Sequence, residues 1–288
     1  GRLLTIREAW LLGREHLLAC GVESAGLETE VLLRHVLGMS RTDLYLAWER
    51  TIAAEAWERL QALFDERARG RPVPYLTGHR EFMGLDLLVD ERVLIPRPET
   101  EVLVELLLHL LRDLPAPRVV DVGTGSGAIA IALATYLPRA QVLAGDLSPE
   151  ALTVAVRNAE RHRVADRITF THGDLLQPVR ERGWEGVDAI ASNPPYVDPE
   201  TARTLPREIR DHEPQIAVVD PGGGSAFHAR LAREAPALLR DGGWLAVEVA
   251  AGQAPEVVEL FERTRAYRGI RVVNDLQGIA RVVAAERG

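Results

Sequence analysis

The sequence has little cysteine, no long apolar run and no excess of basic residues. Cys20 is its one cysteine, which excludes a disulfide framework and a thiolate metal cluster. No apolar stretch reaches about 18 residues, the length that a membrane-spanning helix needs. The opening residues, GRLLTIREAW, lack the apolar core of a signal peptide. These absences predict a cytoplasmic protein that does not contact a membrane.

Charge and histidine content argue against two further classes. The formal net charge of −8 argues against a protein that wraps nucleic acid, because phosphate binding needs clustered Lys and Arg. The eight histidines form no H-E-x-x-H motif and no cluster at ligand spacing, so no metal site is predicted. What the chain does have is a 47% hydrophobic fraction over 288 residues, enough for a sizeable core.

Residues 1–75 are predicted to form a helical substrate-docking domain. Apolar stripes at helical spacing run through TIREAWLLGREHLLACG, ETEVLLRHVLG and AAEAWERLQALFDERARGRP, and each ends at a glycine. Ser40 and Asp43 fit a capping box for a short helix between the second and third stripes. Residues 76–98 are predicted to form a β-hairpin linker, since alternating segments flank Gly84 and prolines end the segment.

Residues 99–288 alternate between helix and strand patterns. Buried strands are predicted at RVVDVG, QVLAGDL, ITFTHGD, VDAIASNPP and GWLAVEVA, with IRVVNDL and IARVVAAER as a closing pair. Helical segments such as GAIAIALATYL and PEALTVAVRNAERH separate the early strands. This alternation predicts an α/β fold with a doubly wound, mostly parallel, seven-stranded sheet.

A glycine loop follows the first of these strands. Gly123, Gly125 and Gly127 would let the backbone turn sharply and pass close to a ligand. Asp146 ends the next strand, where a carboxylate suits two ribose hydroxyls. The G-x-G-x-G spacing is shorter than the dinucleotide fingerprint and favours a nucleotide without a pyrophosphate, such as S-adenosylmethionine. Asp174, after the third strand, could accept a hydrogen bond from an adenine amino group.

The stretch SNPPYVDP ends the fourth strand with a stiff polar corner. Asn193 can offer a side-chain carbonyl and Pro194 a main-chain carbonyl, both at fixed positions, while Pro195 stiffens the turn and Tyr196 adds a flat face. Two acceptors and an aromatic face match a planar –NH2 group. Such a clamp would aim the nitrogen lone pair at a sulfonium methyl, so that positioning does most of the work and no strong base is required.

Together these segments resemble the protein-(glutamine-N5) methyltransferases that modify peptide chain release factors. The resemblance covers nearly the whole chain and is carried by LLRHVLGMSRTDLY, RPVPYLTGHREFMGLDLLVDERVLIPRPETEVLVE, DVGTGSGAIAIALA and SNPPYV. It implies a Rossmann-like class I methyltransferase fold with S-adenosylmethionine as donor and S-adenosylhomocysteine as product. The implied acceptor is the glutamine of a release factor's Gly-Gly-Gln motif.

The resemblance also implies roles for individual residues. Asp146 would hold the ribose, Asp174 and Leu175 would flank the adenine, and residues Arg97 to Thr100 would close over the site. The glutamine amide would lie against Asn193, Pro194, Pro195 and Tyr196, of which Asn193, Pro194 and Tyr196 would be catalytic. The cofactor would be lined by Gly123, Thr124, Gly125, Ser126 and Gly127, and also by Asn193.

Several segments depart from that family's pattern, all toward the substrate side. His212 stands where an aromatic residue usually precedes Glu-Pro, and Gly222–Phe227 replaces a Gly-x-Asp-Gly-Leu loop. Ala250 replaces a glycine after the fifth strand, and Ala280 replaces an acid near the end of the chain. These departures affect details of substrate recognition more than the reaction.

Other functions stay open on the sequence alone. The same clamp would serve an N6-adenine nucleic-acid methyltransferase, although no basic reader segment is present. A glutamine methyltransferase of a ribosomal protein differs only in the linker and N-terminal segments. An NAD-dependent dehydrogenase would leave the NPPY segment unexplained, and an inactive cofactor-binding module would not need Asn193 and Tyr196. A monomer without direct nucleic-acid contact is the expectation.

Overall fold

The first 79 residues are helical apart from turns. The computed structural model describes residues 1–288, and it begins with α1 (Ile6–Ala19), α2 (Ala25–Leu37), α3 (Arg41–Leu46), α4 (Ala54–Ala68) and α5 (Val73–Thr77). The first four match the predicted helices, whereas α5 was not predicted. Ser40 Oγ accepts from the Asp43 main-chain N–H at 3.1 Å, and the full reciprocal capping box lies at Thr5 and Glu8 instead.

These helices share a core of their own. Leu17, Leu32, Leu60 and Phe64 are buried there, at the positions that the apolar stripes predict. Gly13 is required by this packing, because a Cβ at that position would lie 2.5 Å from Phe64 Cζ. Residues 1–79 with 206–212 form one compact unit, and residues 80–205 with 213–288 form another. The predicted domain limits at residues 75 and 98 stay predictions.

The larger unit contains two sheets. A two-stranded sheet consists of β1 (His79–Phe82) and β2 (Leu85–Leu88), which is the predicted hairpin. The other strands are β3 (Arg118–Val122), β4 (Gln141–Asp146), β5 (Ile168–His172), β6 (Val187–Ser192), β7 (Leu239–Glu248), β8 (Tyr267–Asn274) and β9 (Ala280–Arg287). They form one sheet in the order β5-β4-β3-β6-β7-β9-β8. Its first five strands pair in parallel, and β9 pairs antiparallel to β7 and β8. The predicted fold class is confirmed.

Helices cover both faces of this sheet. They are α6 (Pro98–Leu111), α7 (Ala128–Tyr136), α8 (Pro149–Arg161), α9 (Gln177–Glu181), α13 (Ala226–Glu234) and α14 (Ala254–Thr264). The segment after β6 also contains the short helices α10 (Pro199–Ala202) and α12 (Gln215–Val218), whereas α11 (Arg207–His212) belongs to the smaller unit. Adjacent residues of a strand point to opposite faces: Val119 packs in the core with α6 and α7, and Val120 packs in the core with α13 and α14. No helix of the structure is long and apolar enough to cross a membrane.

The register of three central strands sets the position of the site. Val122 of β3 lies opposite Gly145 of β4 on one side and Ser192 of β6 on the other. The strand order reverses between β3 and β6, and ligands of α/β sheets bind at the carboxyl ends of strands at such a switch point. The segments that follow these three strands therefore leave the sheet at the same edge.

Candidate active site

The loop between β3 and α7 has left-handed backbone at all three of its glycines. The φ angles of Gly123, Gly125 and Gly127 are 75°, 56° and 88°. A Cβ on Gly123 or Gly125 would meet no atom within 4 Å, so these two residues border open space. A Cβ on Gly127 would lie 2.8 Å from Ile131 Cδ1. Gly127 is therefore a packing residue at the start of α7, behind the loop's exposed surface.

Asp146 supports this loop from the end of β4. One carboxylate oxygen accepts from the Gly125 main-chain N–H at 2.8 Å, and the other accepts from the Ser148 N–H at 2.9 Å. Burial raises the pKa of Asp146, and the two main-chain hydrogen bonds oppose that shift. A carboxylate has about four lone-pair positions. These contacts leave lone pairs on the carboxylate that can accept from ligand hydroxyl groups, and the ribose role of Asp146 stays a prediction.

A second acid below the loop was missed by the sequence reasoning. Asp121 is fully buried in β3, and its Oδ2 accepts from the Thr124 hydroxyl at 2.8 Å. The other oxygen, Oδ1, has no hydrogen-bond partner, and burial raises the pKa of this carboxyl to about 7. A buried polar atom without a partner is uncommon in folded proteins. An acid two residues before the first glycine was the available sequence signal.

Asn158 was missed as well, although it holds the other side of the loop. Its side-chain Nδ2 donates to the Ser126 carbonyl and to the Leu88 carbonyl, both at 2.9 Å, and its Oδ1 accepts from the Leu88 N–H at 2.7 Å. This amide, 0% exposed, thus ties β2 to the glycine loop. Nothing in the surrounding NAERH sequence distinguishes Asn158 from an exposed helical residue.

Asp174 and Leu175 lie where β5 leaves the sheet. Leu175 has a φ of 45°, which is strained for a side chain branched at Cγ and typical of a constrained functional turn. Asp174 forms an ion pair with Arg230 of α13, with 2.8 Å between Nη2 and Oδ2. The predicted acceptor for adenine therefore already has one cationic partner. Both Asp174 and Leu175 border the same cleft as the glycine loop.

The NPPY segment follows β6 directly. Ser192, the last residue of β6, donates its hydroxyl to the Val122 carbonyl at 2.8 Å and so ties the ends of β6 and β3 together. Asn193 and Pro195 line the cleft. Pro194 is buried and Tyr196 half-buried, and neither side chain is part of the cleft wall. The geometry therefore brings Asn193 to the glycine loop but directs Tyr196 elsewhere.

Tyr196 contacts a buried acid that the sequence reasoning did not identify. Its hydroxyl donates to Glu248 Oε2 at 3.3 Å, and the Thr100 hydroxyl donates to Glu248 Oε1 at 2.6 Å. Asn193 Nδ2 donates in turn to Thr100 Oγ1 at 3.4 Å. Burial raises the pKa of Glu248 to about 7 and also raises the pKa of Tyr196. Asn193 and Tyr196 thus share one hydrogen-bond network behind the cleft.

The IPRPET segment is fixed beside the site by Glu213. Glu213 is buried and accepts from Arg97 Nη2 at 2.7 Å and from the Ile95 N–H at 3.2 Å. Arg97 also donates to the Ile95 carbonyl at 2.7 Å. Pro96 and Thr100 of the same segment line the cleft. The segment predicted to cover the site therefore forms part of its wall.

The loop that departs from the family pattern is also well anchored. Asp220 accepts from the main-chain N–H groups of Gly222, Gly224 and Ala226 at 2.8, 3.0 and 2.8 Å. Gly224 packs closely on the NPPY segment, since a Cβ there would lie 3.1 Å from the Tyr196 carbonyl oxygen. The GGGSAF sequence therefore forms an ordered turn against the clamp.

The glycine loop, the ends of β4 and β6, the turn after β5 and the IPRPET segment border one cleft that opens to solvent. Its remaining wall is largely apolar and comes from Arg92, Val93, Leu94, Leu147, Ala151, Pro214, Ile216, Ala217 and Phe227, among others. No group of three or more His, Cys, Asp or Glu residues could hold a metal ion. A nucleoside fits this donor set, because the loop offers main-chain groups and open space, Asp146 offers hydroxyl acceptors and the apolar wall suits a base.

Comparisons with known proteins agree with this architecture. Residues 8–78 match the family model described as PrmC N-terminal domain, and residues 100–210 match the methyltransferase small domain. Among solved structures, the hMettl16 catalytic domain in complex with MAT2A 3'UTR hairpin 6 has a TM-score of 0.57 at 16% identity, with 81% of this chain and 82% of that chain covered. A methyltransferase from Pyrococcus furiosus has a TM-score of 0.51 at 18% identity, with 72% and 90% covered. At such identities these two structures show the fold alone.

Fold, cleft and family models together define an S-adenosylmethionine-dependent class I methyltransferase. Curated relatives give the family more narrowly. The release factor glutamine methyltransferase of Moorella thermoacetica is 42% identical over 284 residues, with 99% of each chain covered. The enzyme of the same name from Geobacter sulfurreducens is 41% identical, with 99% of this chain and 97% of that protein covered. The chain belongs to the release factor glutamine methyltransferase family.

Proposed function

We propose that this protein transfers a methyl group to the side-chain amide nitrogen of the glutamine in the Gly-Gly-Gln motif of a peptide chain release factor. The observation that carries the proposal is the position of Asn193, at the carboxyl end of β6 and in the wall of the cleft that the glycine loop also lines. The names of the curated relatives support the same acceptor.

The methyl donor occupies the part of the cleft beside the glycine loop. Bound S-adenosylmethionine supplies an electrophilic methyl group on a positively charged sulfur. Gly123, Thr124, Gly125 and Ser126 line this part of the cleft and would border the cofactor. Asp146 would accept from its ribose hydroxyls, and Asp174 and Leu175 would border its adenine. Gly127 acts indirectly, because it allows α7 to pack at the position that shapes the loop.

The acceptor amide lies against the NPPY segment. Asn193 Oδ1 and the Pro194 carbonyl accept its two N–H groups, which favours a pyramidal nitrogen and directs its lone pair toward the methyl carbon. Attack of the amide nitrogen on the methyl carbon would form the N–C bond as the C–S bond breaks, with the electron pair of that bond left on sulfur. The methylated amide would be acidic enough to release its proton to water without a side-chain base. Tyr196 contributes through its position in the clamp, with its hydroxyl held by Glu248.

The remaining parts of the proposal concern partners. Release factors act in translation, so this function belongs in the cytoplasm, and the helical residues 1–75 would bind the release factor away from its glutamine. We propose a monomer that contacts no nucleic acid directly. The matches to the family model of residues 8–78 support a shared role for that segment.

Transfer of label from methyl-labelled S-adenosylmethionine tests the proposal. Acceptors would be a release factor, the same factor with the Gly-Gly-Gln glutamine changed to alanine, a ribosomal protein preparation and duplex DNA. Label on the intact factor alone supports the proposal. Label on DNA would promote an adenine methyltransferase, and label on a ribosomal protein would promote the sibling glutamine activity.

The Asn193→Ala variant supplies the matching enzyme control. We expect it to lose transfer by roughly a hundredfold or more, the scale of lost transition-state positioning. Isothermal titration with S-adenosylhomocysteine would verify that this variant still binds the cofactor product. Transfer at the wild-type rate by Asn193→Ala would overturn the role of the clamp.

A further inference from the structure

We infer that Thr100 and Glu248 are positioning residues that fix which end of the Asn193 amide faces the substrate. This inference rests on the proposed function, because it assigns a cause to the orientation that the clamp requires. Asn193 must present its oxygen to the substrate –NH2, and a flipped side chain would present its own –NH2 and repel it. A side-chain amide has nearly the same shape in both orientations, so shape alone does not select one.

Three elements bring the network together. Glu248 is the last residue of β7, Thr100 lies in the first turn of α6, and Asn193 follows β6. The exposed fractions of Glu248 and Thr100 are 1% and 4%, so water does not compete for their hydrogen bonds. The chain of contacts runs from Glu248 Oε1 to Thr100 Oγ1 at 2.6 Å and from there to Asn193 Nδ2 at 3.4 Å.

The number of donors in this series of hydrogen bonds selects the orientation of the Asn193 amide. An ionised carboxylate can only accept hydrogen bonds, so the Thr100 hydroxyl must donate its single proton to Glu248. That leaves only lone pairs on Thr100 Oγ1 facing Asn193. A donor, Nδ2, is therefore favoured at that position, and Oδ1 is left to face the cleft. The Glu248 carboxylate thus sets the polarity of the amide through one intervening hydroxyl.

Tyr196 strengthens this arrangement from the other side. Its hydroxyl donates to Glu248 Oε2, the oxygen that Thr100 does not use. One carboxylate oxygen of Glu248 accepts from Thr100, which in turn contacts Asn193, and the other accepts from Tyr196. The carboxylate therefore holds both Asn193 and Tyr196 at the end of β6.

The surroundings of Glu248 make the hydrogen bonds from Glu248 through Thr100 to Asn193 sensitive to pH. Burial raises the pKa of Glu248 to about 7, and the Glu99 carboxylate on α6 adds to that shift. The hydrogen bonds from Thr100 and Tyr196 and the charge of Arg281 on β9 oppose it. His228 of α13 contacts the Glu248 main-chain oxygen at 2.8 Å, and burial lowers the pKa of its imidazole. Below about pH 7 a protonated Glu248 can donate to Thr100, which frees the Thr100 proton to bond Asn193 Oδ1 and permits the flipped orientation.

Steady-state kinetics on the full chain would test the inference. Thr100→Val keeps the side-chain shape but removes the hydroxyl, Thr100→Ser restores the hydroxyl, and Glu248→Gln removes the titration. Glu262→Gln, on the exposed surface of α14, is the matched control. The measurements are kcat and KM for the release factor between pH 5.5 and 8.5 and the Kd for S-adenosylhomocysteine.

We expect Thr100→Val to lower kcat roughly tenfold to a hundredfold, the scale of a lost buried hydrogen bond, with little change in cofactor Kd. Thr100→Ser should recover most of the loss. The wild-type kcat should fall as the pH drops through about 7, whereas Glu248→Gln should have a lower kcat without that acidic limb. Loss of this limb in Glu248→Gln would assign it to the Glu248 carboxyl and not to a general loss of structure at low pH.

Two results would overturn the inference. One is a Thr100→Val enzyme with wild-type kcat, and the other is an acidic limb that persists in Glu248→Gln, which would assign the titration to Asp121 instead. Failure of the proposed function would appear differently, since the wild-type protein would then not methylate the release factor at any pH. Unfolding curves of each variant would separate a folding defect from a loss of kcat.

Discussion

At the scale of single residues, the site depends on acceptors held at fixed positions. Asp146 accepts from two main-chain N–H groups and keeps lone pairs for a ligand, while Glu248 accepts from Thr100 and Tyr196. Each carboxylate is oriented by the protein before a ligand arrives. Preorganised groups of this kind lose little entropy on binding.

Asp146→Asn tests this arrangement for the cofactor. An amide offers one acceptor in place of two, so one ribose hydroxyl or one loop N–H loses its partner. We expect the Kd for S-adenosylhomocysteine to rise roughly tenfold to a hundredfold by isothermal titration, the scale of a lost hydrogen bond to a charged group. Asp166→Asn, at an exposed position, is the control. Equal affinity in the two variants would remove Asp146 from the cofactor site.

At the scale of elements, the glycine loop is held between two neighbours. Asp146 binds it from β4, and Asn158 of α8 binds its Ser126 carbonyl while also pairing with Leu88 of β2. The hairpin is therefore connected to the cofactor site through one buried amide. A change in the hairpin would reach the loop by way of Asn158.

Asn158→Ala should weaken both the fold and the cofactor site. The substitution leaves the Leu88 N–H, the Leu88 carbonyl and the Ser126 carbonyl without their partner, and each such buried group costs about 1 to 3 kcal/mol. We expect a loss of about 2 to 4 kcal/mol in the free energy of unfolding by urea titration, on the same basis. The Kd for S-adenosylhomocysteine should also rise. Unchanged stability would show that water replaces the amide.

Most elements of the fold were predictable, because their signals are local. Alternating apolar strands, apolar stripes and glycine ends located the seven strands of the large sheet and the first four helices. The short helix α5 carries no such signal, and α13 and α14 were not distinguished in the sequence. The partners Asp121, Asn158 and Glu248 could not be predicted, since their roles arise from contacts between distant segments.

The candidate site also combines features that were predictable from the sequence with features that were not. The Gly123 loop, Asp146 and Asn193 follow from motifs beside strand ends, and the strand register brings them to one edge. Tyr196 was expected to stack on the substrate, yet its hydroxyl is held by Glu248 and its ring is outside the cleft wall. Only the structure shows that Asp174 already has Arg230 as a partner.

At the scale of the whole molecule, two buried acids make stability depend on pH. Burial raises the pKa values of Asp121 and Glu248 to about 7, from ordinary values of 3.8 and 4.5. The folded state therefore binds protons more tightly than the unfolded state does. The resulting stabilisation is fully present below the ordinary pKa values and is lost as the pH rises through about 7.

This linkage predicts a less stable protein at pH 8 than at pH 6. Each of the two carboxyl groups contributes a loss of about 1.4 kcal/mol between pH 6 and pH 8. Integrated over that interval, the difference in bound protons between the folded and unfolded states is equivalent to about one proton over one pH unit. Urea unfolding of the cofactor-free protein at both pH values measures the sum. Asp121→Asn should remove about half of the difference, and Asp166→Asn should leave it unchanged. An Asp121→Asn variant with the wild-type dependence on pH would contradict the assignment.

The most direct measurement is the location of the transferred methyl group on a release factor. The factor would be incubated with this protein and S-adenosylmethionine, digested and sequenced by tandem mass spectrometry. The account predicts one added methyl group on the glutamine side chain of the Gly-Gly-Gln peptide, absent when Asn193→Ala replaces the wild-type enzyme. A methyl group on any other residue, or equal methylation by both enzymes, would contradict it.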